Sequence, residues 1–223
     1  MGESKVKTTH LVLILDSSGS MNDFRKEVVE GFNEKVEAIR KAASEHNAED
    51  RIFLTLVTFN DVAEIVRFAQ PVSAMEKMSI EEYRPEYLTA MLDAIGLTLA
   101  KLEKDFHDSA DSNYLVAIWT DGEENASKEY SYAHVSDMMK KRMASGRWTF
   151  AYMGANQDLS NISMRLGIPR SNVASFTPDS KGTRESFRVL ANSVATFVTA
   201  SLSGANTLDK FFRDIDEITS VLN

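Results

Sequence analysis

Short, almost wholly apolar runs alternate along this chain with longer stretches in which apolar residues recur every three or four positions. The runs are 9–15, 52–59, 113–119, 148–153 and 173–176. Apolarity without alternation over so few residues predicts strands covered on both faces. Between them, 22–45 carries Phe24, Val28, Phe32, Val36 and Ile39 on one stripe, which predicts a long helix. Thr89 opens a second helix running to about 106, and 131–145 forms a third, ended by Gly146. Residues 157–166 predict a short helix closed by Gly167 and Pro169, and 180–201 a long one with Phe187, Leu190, Val194, Phe197 and Val198 inward. Residues 64–69 follow the 52–59 strand after little more than the turn Asn60-Asp61, so they return as an antiparallel neighbour. The stretch 71–88, with Pro71 and Pro85, reads as mostly loop.

Strands separated by crossover helices imply a three-layer α/β/α, doubly wound, mostly parallel sheet. A chain of 223 residues fits one such domain, taken as 1–203. Residues 204–223 follow as an amphipathic helix, with Leu208, Phe211, Phe212, Ile215, Ile218 and Leu222 on its apolar face. That face either packs back on its own domain or meets another subunit, through self-association by 207–222.

Charge and composition narrow the function. The net charge of −8 disfavours binding along a phosphate backbone, so no nucleic acid partner is expected. The local cluster Lys140-Lys141-Arg142 reads as the solvated face of a helix. Cysteine is absent, which excludes disulfides, zinc–thiolate sites and thiol nucleophiles. The first ten residues lack an apolar signal core, and no apolar run approaches membrane-spanning length. The expectation is a cytoplasmic protein without a membrane partner.

The chemistry concentrates where the first strand ends, at Asp16-Ser17-Ser18-Gly19-Ser20. Asp16, Ser18 and Ser20 offer three oxygen donors, with no nitrogen or sulfur, which suits a hard divalent cation. Alone, the same residues would serve equally as a strand-to-helix turn with a capping side chain. Asp121-Gly122 ends another apolar strand, and ligands of open α/β sheets bind outside the carboxyl ends of strands where strand order reverses.

Asp16-x-Ser18-x-Ser20, Thr89 at the start of a later helix, and Asp121-Gly122 together resemble the metal-ion-dependent adhesion site (MIDAS) of von Willebrand factor A domains. The surrounding Leu88-Thr89-Ala90-Met91-Leu92-Asp93 and Trp119-Thr120-Asp121-Gly122-Glu123-Glu124-Asn125 are similar too. Met153-Gly154-Ala155-Asn156-Gln157-Asp158 resembles an intracellular bacterial and phage-associated branch of that family. The resemblance implies a Rossmann-like sheet of order 3-2-1-4-5-6 with strand 3 antiparallel. It implies Mg²⁺ or Mn²⁺, with Ca²⁺ as an alternative, approached by Ser18, Ser20 and Thr89, while Asp16 and Asp121 act largely through water. A cation with neutral hydroxyls around it seeks an anionic oxygen, and in the family this is an Asp or Glu carboxylate of another protein. Glu123 and Glu124 read either as a solvated loop or as the rim of the site. As a rim, they would favour a partner whose single carboxylate is flanked by basic residues. Asp23 reads as charge complementing a helix N-terminus.

A metal with an open position can activate water, so hydrolysis is a candidate. Neither Ser18 nor Ser20 sits in a G-x-S-x-G turn, and His10, His46, His107 and His134 have no triad role. There is no P-loop lysine and no G-x-G-x-x-G turn. Ser18 stands where a haloacid-dehalogenase-type phosphatase would need a second Asp. The expectation is therefore not an enzyme but a metal-dependent protein-binding module, either an adaptor or assembly module or a phage virion structural or assembly protein.

Overall fold

The computed structural model describes residues 8–106, 111–155, 157–204 and 210–212. Six strands form one sheet: β1 (Thr8–Asp16), β2 (Ile52–Phe59), β3 (Ala63–Pro71), β4 (Ser112–Thr120), β5 (Trp148–Gly154) and β6 (Val173–Ser175). Their order is β3-β2-β1-β4-β5-β6, and only β3 runs antiparallel to its neighbour. Five α-helices complete the layers: α1 (Arg25–Ser44), α2 (Met91–Phe106), α3 (Tyr132–Met143), α4 (Leu159–Leu166) and α5 (Ser180–Leu202). This is the doubly wound arrangement expected, and the strand order reverses between β1 and β4.

Burial on both faces accounts for the apolar runs. Leu11, Leu13 and Leu15 of β1 join Leu115, Ala117 and Trp119 of β4 in a core roofed by α1 and α5. Val12 and Ile14 join Tyr114, Val116 and Ile118 on the other face, under α2, α3 and α4. A strand with a helix layer on each side has no position left for a solvated side chain. His10 follows this rule. It is buried among the rings of Phe53, Phe106 and Tyr114, and burial lowers its imidazole to about 4, so it is neutral at ordinary pH.

Helix boundaries depart from the periodicity at one informative place. The stretch from Gly19 to Phe24 is a 3-10 turn, and the α-helix proper begins at Arg25. The chain after β1 is thus held in a tight loop instead of passing straight into helix, and Asp23 lies exposed in that turn. Phe211 and Phe212 are buried against the α1/α5 core, with Phe211 N donating to Asn172 Oδ1 at 2.9 Å. The helix expected over 207–222 otherwise lies outside the described residues, as does His107.

The α1/α5 contact contains a charge that periodicity did not reveal. Gly31 lacks the Cβ that would meet the Phe187 ring at 2.4 Å, so the two helices approach closely there. One turn on, Lys35 is fully buried. Its Nζ lies 4.7 Å from the centre of the Phe187 ring and has no hydrogen-bond partner among the described residues. Burial lowers its amine from 10.5 to about 7. The unfolded chain keeps this proton to about pH 10, so folding expels it, and stability must rise as pH climbs from about 7 to about 10. The full effect is on the order of 5 kcal/mol. Lys35→Met should raise the unfolding free energy near pH 7 by roughly 2–4 kcal/mol and flatten this slope. Urea unfolding of both proteins across that pH range checks it; parallel curves would mean that the amine is not desolvated.

Candidate metal centre

The candidate residues meet because β1 and β4 are adjacent and parallel. Their register pairs Leu15 with Trp119, so Asp16 and the Asp121 loop leave the sheet side by side. The Asp16–Ser20 loop is anchored from two directions. Ser17 N donates to Phe59 O at 2.7 Å, fixing it to the end of β2. On the other side, Glu86 N donates to Ser17 O at 2.9 Å and Gly19 N to Tyr87 O at 3.0 Å. The buried Tyr83 hydroxyl donates to the Asp16 carbonyl.

Within that frame the side chains converge. Ser18 Oγ and Ser20 Oγ are 3.2 Å apart, and Ser20 Oγ donates to Asp121 Oδ1 at 2.8 Å. Asp16 is 0% exposed; its Oδ1 accepts Ser18 N at 2.7 Å and its Oδ2 accepts Thr120 Oγ1 at 2.5 Å. Thr89 is 4% exposed, and its hydroxyl has no hydrogen-bond partner among the described residues. A Cβ placed on Gly122 would sit 3.3 Å from Thr89 Oγ1 and 3.9 Å from Asp16 Oδ2. Glycine there keeps the space beside both side chains open. The structure thus brings Asp16, Ser18, Ser20, Thr89 and Asp121 to one place.

Electrostatics set this cluster apart from an ordinary turn. Burial pushes the Asp16 carboxyl up to about 6, against the hydrogen bonds from Thr120 and Ser18, and the Asp121 charge raises it further. Burial also raises Asp121, opposed by the Ser20 hydrogen bond. No salt bridge reaches either carboxylate among the described residues. Two carboxylates and three hydroxyls, all oxygen and with an unpartnered hydroxyl among them, fit a hard divalent cation. Among the described residues, no group of three or more His, Cys, Asp or Glu is placed to hold a metal, so a cation here would need oxygen donors beyond the two carboxylates, and the three hydroxyls offer them.

The rim expectation needs a correction at Glu124. Glu123 is exposed, but the Glu124 carboxylate turns inward. One oxygen accepts Ala126 N at 3.0 Å and Ser127 N at 2.8 Å; the other accepts Leu92 N and Ser127 Oγ, both at 2.8 Å. Free amides in the first turn of α2 and in the 126–127 loop attract this carboxylate more strongly than solvent does. Asn125 strengthens the joint: its Oδ1 accepts Thr89 N at 2.9 Å, and its own N–H donates to Thr89 O at 3.0 Å. Gln157 adds a brace, with Nε2 donating to Gly122 O and Oε1 accepting the Tyr152 hydroxyl. Thr120 and Tyr83 did not stand out in the sequence, and Gln157 did so only as part of the 153–158 motif, with no role attached. For Thr120, adjacency to Asp121 was the available signal; for Tyr83 there was none.

No protein-family model and no curated protein matches the chain. Solved structures do share its fold. The pilus adhesin SpaC from Lactobacillus rhamnosus GG matches with a TM-score of 0.66 at 13% identity, over 89% of this chain and 31% of that one. Proximal thread matrix protein 1 from the mussel byssus, with a zinc-occupied MIDAS motif, matches at 0.59 and 17% identity, over 88% and 46%. A von Willebrand factor type A protein from Catenulispora acidiphila matches at 0.53 and 19%, over 88% and 43%. The chain spans between about a third and a half of the length of these structures. At these identities the likeness establishes the architecture, a von Willebrand factor A-like α/β fold.

Glu124→Ala should lower stability by about 1–3 kcal/mol, because it strands buried amides. Amide hydrogen exchange should also speed up selectively at Leu92 and Ser127, with Glu124→Gln intermediate, and less at Ala126, whose N–H also donates to Thr89 O at 3.2 Å. Unchanged exchange at Leu92 and Ser127 would show that the inward carboxylate is dispensable.

Proposed function

We propose that the chain is a metal-dependent protein-binding module. A divalent cation, Mg²⁺ or Mn²⁺, would be held by Ser18, Ser20 and Thr89, with Asp16 and Asp121 supplying negative charge and orienting hydroxyls and water. The observation that carries this reading is the meeting of two buried carboxylates and three hydroxyls with no basic side chain among the described residues to answer them. When bound, the cation supplies Lewis acidity toward one further oxygen ligand. The neutral hydroxyls leave its charge incompletely compensated, so a carboxylate from an Asp or Glu of a partner protein is the favoured ligand. Solved structures of the same fold named as a pilus adhesin and as a thread matrix protein with an occupied MIDAS motif support a holding role. We assign the site no turnover and place the protein in the cytoplasm as an adaptor or assembly module.

Metal should bind the folded protein and not the unfolded chain, so Mg²⁺ should raise the melting temperature. At a concentration near 100 times Kd the gain is about 2.7 kcal/mol. Thr89→Ala and Asp16→Ala should fold cooperatively and lose the shift, as read by calorimetric titration and thermal melts with and without chelator. No shift at millimolar metal would sink the reading. Metal-dependent phosphate-ester turnover that vanishes in Asp16→Ala would replace it with a hydrolase.

A further inference from the structure

We propose that the groove beside the metal centre selects a protein segment in which the metal-binding carboxylate is accompanied by a basic residue and a large apolar one. This rests on the metal-binding reading above and adds the chemistry of the partner.

The groove has a volume of about 510 Å³ and lies between the β2–β3 turn and the 82–87 loop, lined by Asp61, Val62, Glu64, Arg84, Glu86 and Tyr87. Ser17 lines it as well, so it is continuous with the loop that presents Ser18 and Ser20. The same two hydrogen bonds that brace that loop, from Glu86 N and Gly19 N, fix the groove wall against the metal centre. A chain whose carboxylate reaches the cation at this edge must lay its neighbouring residues somewhere, and this groove shares Ser17 with the loop that carries two of the candidate ligands.

Both of its walls pair an apolar side chain with acidic ones: Val62 stands between Asp61 and Glu64 on the turn, and Tyr87 beside Glu86 on the loop. Two of the six large apolar residues exposed on the described structure line it, Val62 at 66% and Tyr87 at 68%, and a third, Leu88 at 54%, follows Tyr87 in the chain. Leu88 directly precedes Thr89 in the chain, which brings the exposed Tyr87–Leu88 pair within two residues of a candidate ligand. Apolar side chains gathered next to a binding site, and not scattered singly, mark a contact surface. Asp61, Glu64 and Glu86 have no ion-pair partner among the described residues. Glu82 is already neutralised by Arg67 at 2.5 Å. Arg84 is the one basic side chain lining the groove, which leaves it net acidic. A wholly acidic partner would be repelled as it approached the cation. A segment carrying Arg or Lys beside its carboxylate would be steered and held.

The test uses a displayed library of random twelve-residue peptides selected on the full chain in Mg²⁺. Selected peptides should be enriched in Asp or Glu together with Arg or Lys and a large apolar residue. Glu64→Lys with Glu86→Lys should remove or invert the basic enrichment and weaken a wild-type-selected peptide by at least about tenfold. Tyr87→Asn with Leu88→Ser should remove the apolar enrichment; Asn is chosen because Tyr87 has φ +62°. Circular dichroism and melting temperature verify that both variants fold. Acidic enrichment that requires metal but comes with no basic or apolar preference overturns this proposal and leaves the metal reading standing. Acidic enrichment that persists in chelator or on Thr89→Ala overturns both. No enrichment over bare support in either condition overturns the groove as a peptide site, while the Mg²⁺ melting shift then decides the metal reading separately.

Discussion

Two carboxylates placed where water is scarce, with no side-chain cation among the described residues to answer them, organise the whole carboxyl edge of this sheet. Asp16 and Asp121 are forced together by the parallel pairing of β1 with β4, since the register that seats Leu15 beside Trp119 delivers the next residues to neighbouring points. The fold answers with donors: Ser18 N and Thr120 Oγ1 to Asp16, Ser20 Oγ to Asp121. These are too few to offset desolvation, and the Asp16 carboxyl still stands near 6. Hydrogen bonds from neutral groups stabilise a buried anion only in part, because each supplies a dipole and not a charge. The remaining deficit is what makes a divalent cation the natural complement of the cluster.

Much of the architecture was legible because strands covered on both faces leave an unmistakable trace. The runs at 9–15 and 113–119 needed no alternation to be read as strands, and their polar ends marked where chemistry emerges. The five converging oxygen donors were legible as types and positions through a motif dispersed over a hundred residues. The bracing around them was not. Tyr83 comes from a proline-flanked loop without periodicity, and Gln157 acts through a backbone carbonyl, so neither contact leaves a spacing in the sequence. Glu124 misled for a physical reason: a glutamate after a strand reads as solvated, yet unsatisfied amides of α2 lay within its reach. Lys35 was hidden in a stripe read from large apolar residues alone. Positions 31 and 35 belong to that buried face as well, but glycine and lysine mark it only once the close passage of α5 is seen.

The centre is built from two separately anchored pieces. Ser18 and Ser20 ride on a loop tied to the end of β2 and to Ser17's and Gly19's partners in the 86–87 segment. Thr89 and Asp121 belong to a second piece, in which Asn125 and Glu124 clamp the start of α2 to the loop after β4. Side-chain hydrogen bonds between the pieces are sparse: Ser20 to Asp121, and Thr120 to Asp16. Both involve the carboxylates that a cation would engage. A cation at this point would therefore add ionic interactions across the seam between the two pieces, beside those side-chain hydrogen bonds and the backbone bond from Ala90 N to Asn60 O that already join them. The groove proposed to read the partner lies wholly on the first piece, against Ser17 and Tyr87. A ligand whose carboxylate reaches the cation and whose flanks fill that groove would then touch both pieces, so partner affinity and the integrity of the seam would be coupled through the same metal.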